Sequence, residues 1–119
     1  MGRFALYRMW REQCEEVKQG HVAIEEDFLA IQEFVDKGGN PWRLDPVETA
    51  RRVGVAKLGF YPNDTFTLSG YYISYDSGLN HALVHATHGI CLFLIELRQP
   101  VRQGRRGIWA VERVTLLNP

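Results

Sequence analysis

The sequence is poor in the features that mark several classes of protein. Among its 119 residues only two are cysteine and five are proline, and 14 basic side chains balance 14 acidic ones. Two cysteines are too few for the disulfide framework of a small secreted protein. The charge balance gives the whole molecule no general attraction to nucleic acid or to anionic membranes. No apolar run approaches the roughly 20 residues that cross a bilayer, and residues 1–10 lack the apolar stretch of a signal peptide.

We therefore expect a single domain over residues 1–119 and a cytoplasmic location. An extracytoplasmic domain whose leader has been removed is the alternative. The apolar fraction of 45% and the charged fraction of 24% are those of a globular chain with its own core. Cys91 lies in the apolar run 90–95, which predicts a small buried side chain. Three glutamates close to Cys14 disfavour a reactive thiolate there.

The first 38 residues are interpreted as an N-terminal helical segment. Apolar residues spaced three and four apart predict one helix over 4–18 and a second over 22–37. A third helix is predicted to begin after Asp45. That residue suits the N-cap, Pro46 suits the first helical position, and Glu48 can complete a capping box.

The chain after Pro62 predicts four strands, over 65–75, 81–88, 90–98 and 108–117. Gly70 is expected at a bulge, and residues 76–78 are expected to turn. The third strand is almost wholly apolar, which predicts an interior position in the sheet. Short connections favour an antiparallel meander. The predicted fold class is therefore α+β, with the helices covering one face of the sheet.

The run from Trp42 to Pro46, followed by strands near Gln99–Arg102 and Gly107–Glu112, resembles small bacterial domains of unknown function. These domains belong to the cystatin-like and nuclear-transport-factor-like group, and the resemblance covers residues 42–117. It implies a curved four-stranded antiparallel sheet around a helical layer. It also implies dimers, and pockets that a minority of members use for catalysis. The shared motifs are structural, so the resemblance implies no catalytic residue.

Histidines are the side chains that first suggest chemistry. His81 and His85 share one face of a predicted strand but lie about 13 Å apart, too far to share a metal. Neither cysteine belongs to a metal-binding motif, so we expect no metal site and no cofactor. A pocket on that face would take its ligand with His85, Tyr72 and His81.

Acid–base catalysis is a second interpretation of this face. His85 would then be the base, with Tyr72, Asp64 and Glu96 as conceivable partners. The alternative is that the glutamates of the last two strands pair with neighbouring arginines across the sheet.

Charge is segregated along the chain. Residues 12–36 carry eight acidic side chains and one basic one, whereas residues 98–106 carry four arginines and no acid. Arg102, Arg105 and Arg106 could bind an anion, or they could form a solvated hairpin tip. Aromatic residues are not interleaved with them, so we do not expect a nucleic-acid partner.

The sequence favours a non-catalytic interaction or binding domain that forms a homodimer, through the open face of the sheet or the N-terminal helix. A different protein partner is a further option, and we expect no membrane partner. The alternative is a small-molecule-binding protein or isomerase-like enzyme with its pocket in the concave face of the sheet. We favour the non-enzymatic role.

Overall fold

A computed structural model describes residues 12–118, which form an α+β fold. Residues 12–15 are helical and residues 16–18 are not, so the predicted first helix ends early, and its residues 4–11 lie outside the described part. The elements that follow are β1 (Gly20–His21), α1 (Phe28–Asp36), a 3-10 turn (Pro41–Leu44), α2 (Pro46–Val53), a π-helical turn (Gly54–Leu58), β2 (Thr65–Ile73), β3 (Asn80–His88), β4 (Cys91–Arg98) and β5 (Ala110–Leu116).

The sheet is antiparallel, in the order β1-β5-β4-β3-β2. The four predicted strands are present, and the predicted bulge falls between Leu68 and Gly70. The prediction of four strands in all is wrong, because β1 adds a fifth through the pairs Gly20–Val114 and His21–Arg113. A two-residue strand is too short to show the alternation that identifies strands in a sequence.

Helix α2 begins where the sequence predicts. The Asp45 carboxylate accepts hydrogen bonds from the backbone N–H groups of Val47 (2.9 Å) and Glu48 (3.3 Å). The Glu48 carboxylate does not complete a capping box but accepts a hydrogen bond from Arg51 Nε at 3.3 Å. One N-terminal cap therefore fixes the start of the helix that covers the sheet.

Helix α1 is shorter than the predicted helix over 22–37. It starts after Asp27, whose carboxylate accepts a hydrogen bond from the Ala30 N–H at 3.1 Å. The buried Gln32 side chain accepts a bond from Ile108 N–H at 3.0 Å and donates one to the Arg106 carbonyl at 2.8 Å. These bonds anchor α1 on the loop between β4 and β5, whereas α2 packs on the sheet.

The core lies between α2 and one face of the sheet. Alternate residues of β4 point into it, and Cys91, Phe93, Ile95 and Leu97 are almost completely buried. The sheet order places β4 between β3 and β5, so the predicted interior position is confirmed. We call the face opposite α2 the outer face.

A disulfide joins Cys14 to Cys91, with the two Cα atoms 5.6 Å apart and a separation of 77 positions in sequence. Cys91 is buried as predicted, but as half of a disulfide. The bond ties the helical residues 12–15 to the first residue of β4. Spacing alone could not reveal the pair, because the fold brings the two residues together.

Loss of the Cys14–Cys91 bond should lower the free energy of unfolding by about 2–4 kcal/mol, because a cross-link restricts the unfolded chain. Urea unfolding with and without reductant measures this difference. The double variant Cys14→Ser/Cys91→Ser is the control, and reductant should leave its midpoint unchanged. Equal midpoints for the oxidised and reduced native chain would contradict the stabilising role.

Candidate functional site

The outer face carries the predicted ligand-binding residues Tyr72, His81 and His85. Tyr72 and His81 are register partners on β2 and β3, and their rings stack with centroids 4.7 Å apart and planes inclined by 13°. Four residues of strand, roughly 13 Å, separate His81 from His85, which lies opposite Thr67 and Leu94. The structure therefore groups Tyr72 with His81 and leaves His85 apart.

Two carboxylates complete this outer-face cluster. Glu96 Oε1 accepts a hydrogen bond from the Tyr72 hydroxyl at 3.3 Å, and Glu96 Oε2 lies 3.9 Å from Arg113 Nε. Glu112 Oε2 lies 3.5 Å from His81 Nδ1. That buried nitrogen has no hydrogen-bond partner within the described residues. The expected cross-sheet pairing thus holds for Glu96 with Arg113, whereas Glu112 faces a histidine.

The chemistry open to this cluster is limited by access. Burial, followed by the charges of Glu96 and Glu112, raises the pKa of Tyr72, so its hydroxyl stays protonated at neutral pH. The Tyr72 ring covers the imidazole, and His81 is only 6% exposed. A general base must come within hydrogen-bond reach of its substrate. The side chains suit proton transfer, but the imidazole is closed to a substrate.

Asp64, the remaining predicted partner, contacts a different histidine. His88 is completely buried, and its Nδ1 lies 2.6 Å from Asp64 Oδ2 while its Nε2 lies 3.0 Å from Glu16 Oε1. Both acceptors are carboxylates, so a proton on each ring nitrogen satisfies both bonds. We call these three side chains the ion triad. It links the chain beyond residue 15 to the end of β3.

Tyr61 supports both carboxylates of the ion triad. Its hydroxyl donates to Glu16 at 2.8 Å, and its backbone N–H donates to Asp64 at 2.7 Å. Burial opposes protonation of the His88 ring, but the hydrogen bonds and charges of Asp64 and Glu16 outweigh it and raise the pKa of His88. Hydrogen bonds from His88 and Tyr61 lower the pKa of Glu16.

The three arginines of the predicted anion site are in different surroundings. Arg102 donates two hydrogen bonds to the Asp36 carboxylate, at 2.7 and 2.8 Å, and thereby lowers the pKa of Asp36. The backbone carbonyl of Arg106 accepts the bond from Gln32. Arg105 has no hydrogen-bond or ion-pair partner among residues 12–118. The structure thus neutralises Arg102 and leaves Arg105 available.

A buried glutamine shapes the loop that carries these arginines. Gln99 Nε2 donates to the carbonyls of Gly104 (2.7 Å) and Gly107 (3.0 Å). Its Oε1 accepts from Gly104 N–H (2.7 Å) and from Asn80 Nδ2 (3.0 Å). The side chain thereby uses its full hydrogen-bonding capacity, and the loop between β4 and β5 is fixed around it.

An open cavity of about 640 Å³ lies beside this loop. We call it the aromatic groove. Its apolar wall consists of Leu44, Pro46, Tyr71, Ile73 and Trp109, and Tyr72 also lines it. Asn80, Gln99, Gly104 and Arg105 supply the polar part. Tyr72 and Arg105 are separate candidates in the sequence, and only the fold places them beside one cavity.

Comparison with protein-family models, curated proteins and solved structures finds no match for this chain. Within residues 12–118 no helix combines the length and apolarity needed to cross a membrane. The same residues contain no group of three or more His, Cys, Asp or Glu side chains placed to hold a metal ion. The geometry of this chain alone must therefore carry a proposal about its function.

The ion triad should make stability depend on pH in a defined window. The pKa of His88 is raised above 6.5 in the folded state, so its contribution is complete below 6.5 and is lost as pH rises through the folded value. The pKa of Glu16 is lowered below 4.5, so its contribution is present above 4.5 and is lost as pH falls through the folded value. The triad should therefore contribute most to the free energy of unfolding between pH 4.5 and pH 6.5.

Urea unfolding of the native chain from pH 4 to 9, alongside His88→Asn, measures this contribution. The stability advantage of the native chain should shrink as pH rises above 6.5. Glu16→Gln serves as a milder variant that keeps the imidazole. If the free energies of unfolding of the native chain and of His88→Asn differ by a constant amount from pH 4 to 9, the charged triad is contradicted.

Proposed function

We propose that this chain is a small, non-catalytic interaction domain that binds a second copy of itself along the edge of β2. The observation that carries the proposal is the character of that edge. β2 is nine residues long, contains neither a charged residue nor proline, and within the described residues pairs only with β3. The bulge between Leu68 and Gly70 divides its free edge into residues 65–68 and 70–73. A long, uncharged edge strand presents unpaired backbone groups that readily join another strand.

Apolar side chains next to this edge support the same proposal. Tyr71 and Ile73 are 60% and 67% exposed, and Leu68 and Tyr75 are exposed close by. Scattered apolar side chains are normal on a surface, but a cluster at one corner marks an interaction site. Tyrosine in particular is enriched at interfaces, because it combines an apolar ring with a polar tip.

Symmetry and charge favour a second copy over a different partner. An antiparallel pair of identical strands is its own complement, and a neutral strand brings no like charges together at the two-fold axis. Arg51 lies over the ring of Phe66 near the start of β2, and Arg51 and Arg52 share the one carboxylate of Glu48, which leaves a net positive charge there. The exposed Asp76 follows the other end of the strand. Antiparallel pairing brings these opposite charges towards each other.

The surroundings of the candidate acid–base groups support a role without catalysis. His81 is covered by Tyr72, His85 is remote from both, and Asp64 is occupied by His88.

The cystatin-like curvature of the sheet stays a prediction from the resemblance. The disulfide supports an oxidising compartment over the cytoplasm, because such bonds persist mainly outside reducing compartments.

Sedimentation equilibrium at micromolar concentration tests the proposal. The native chain should sediment as a dimer, and Ile73→Lys should be a monomer, because a charge beside the edge is costly to bury between two strands. Ile90→Lys is the matched control. Ile90 is also an exposed isoleucine (62%), but it lies at the turn between β3 and β4, at the other end of β3.

The control variant should remain a dimer. A native chain that stays monomeric at every concentration would refute self-association. A dimer that persists in Ile73→Lys, or dissociates equally in Ile90→Lys, would refute the role of β2. Circular dichroism of all three proteins verifies that they are folded.

A further inference from the structure

The aromatic groove combines flat apolar walls with a single charge. The rings of Tyr71 and Trp109 face the cavity region with centroids 5.9 Å apart, inclined by 39°. Among the described residues that line it, Arg105 is the only charged one, and no acid is present. The cavity therefore has an uncompensated positive charge at an apolar wall.

Another large cavity also carries excess positive charge. That cavity, of about 550 Å³, lies beside α2 and Trp42, and four cations and two carboxylates line it. Arg43 pairs with Glu26, Arg51 and Arg52 share Glu48, and no ion pair of Lys57 occurs in the described part of the chain. The aromatic groove differs because no carboxylate among residues 12–118 lines it, whereas an anionic ligand beside α2 would meet Glu26 and Glu48.

The loop that carries Arg105 is organised without a ligand. Three of the four side-chain hydrogen bonds of Gln99 hold Gly104, directly before Arg105, and Gly107, two residues after it. Gly107 is packed so closely that a Cβ atom there would lie 1.7 Å from the Arg102 carbonyl oxygen. A loop fixed in this way costs little further ordering when a ligand binds.

We infer that the aromatic groove binds a small molecule with a flat apolar body and one carboxylate. The body would lie against Tyr71 and Trp109, and the carboxylate would accept hydrogen bonds from the Arg105 guanidinium, whose planar fork matches it. Asn80 Nδ2 and both polar side-chain atoms of Gln99 are already engaged with each other and with the loop. The volume of the groove is within the range of small-molecule sites. This inference does not rest on self-association.

Isothermal titration calorimetry with 2-naphthoate and its uncharged analogue 2-naphthamide tests the inference on the full chain. The two probes share the flat ring, so a difference between them reports the carboxylate. The native chain should bind naphthoate about fivefold more tightly than naphthamide, the ratio expected of a partly solvated ion pair. Arg105→Gln should abolish that ratio and leave naphthamide binding unchanged. Arg106→Gln, on the same loop, should keep the ratio.

Three results would overturn the inference. They are no binding of either probe, equal binding of both probes to the native chain, and an equal loss of the naphthoate preference in Arg105→Gln and Arg106→Gln. Tyr71→Ala tests the apolar wall at an exposed side chain (60%) and should weaken both probes together. Sedimentation of the same samples keeps the two proposals separate. A dimer that binds neither probe would refute the ligand site alone, and a monomer that discriminates between the probes would refute self-association alone.

Discussion

The helical cover of this sheet extends over only part of the strands beneath it. Helix α2 contacts β2, β3, β4 and β5, so it crosses the sheet and does not follow a single strand along its length. Burial along β2 reflects this partial cover. Phe66 is buried under the helix, whereas Tyr71 and Ile73, on the same face of the strand, remain exposed. The uncovered corner supplies both the exposed edge and the wall of the aromatic groove.

The two ends of the sheet are consequently different. At the end where β3 meets β4, the disulfide and the ion triad both attach the segment around Cys14 and Glu16. At the other end, the loop held by Gln99 closes the sheet without covering it. Covalent and ionic attachment at one end stabilises the core, and the exposed Tyr71 and Ile73 lie at the other. The aromatic groove lies at this open end, and the proposed edge interaction extends from it along β2.

Much of the fold follows from local pattern. The strands, the Asp45 cap, the bulge beside Gly70 and the interior position of β4 are visible in the sequence because each depends on neighbouring residues. The late start of α1 also has a local signal, since Asp27 is a good N-cap directly before Phe28. The predicted helix starts too early because the apolar spacing continues back to Ile24.

The rest of the structure depends on contacts between distant residues. His88 meets Glu16 across 72 positions of sequence, and Cys14 meets Cys91 across 77. No spacing rule reveals such pairs. The same distinction applies to the candidate sites. The sequence identifies Tyr72 and Arg105 as candidate binding residues, but only the fold brings them beside one groove. His85 looks equally suitable in sequence, and the register of β3 separates it from Tyr72.

Hydrogen–deuterium exchange of the β2 backbone amides, followed over a range of protein concentrations, tests most directly whether this edge is the interaction surface. The account predicts that amides of residues 65–73 directed away from β3 exchange rapidly at high dilution and become protected as concentration rises. Amides of β4 should be protected throughout. Exchange in β2 that is independent of concentration would contradict the central claim.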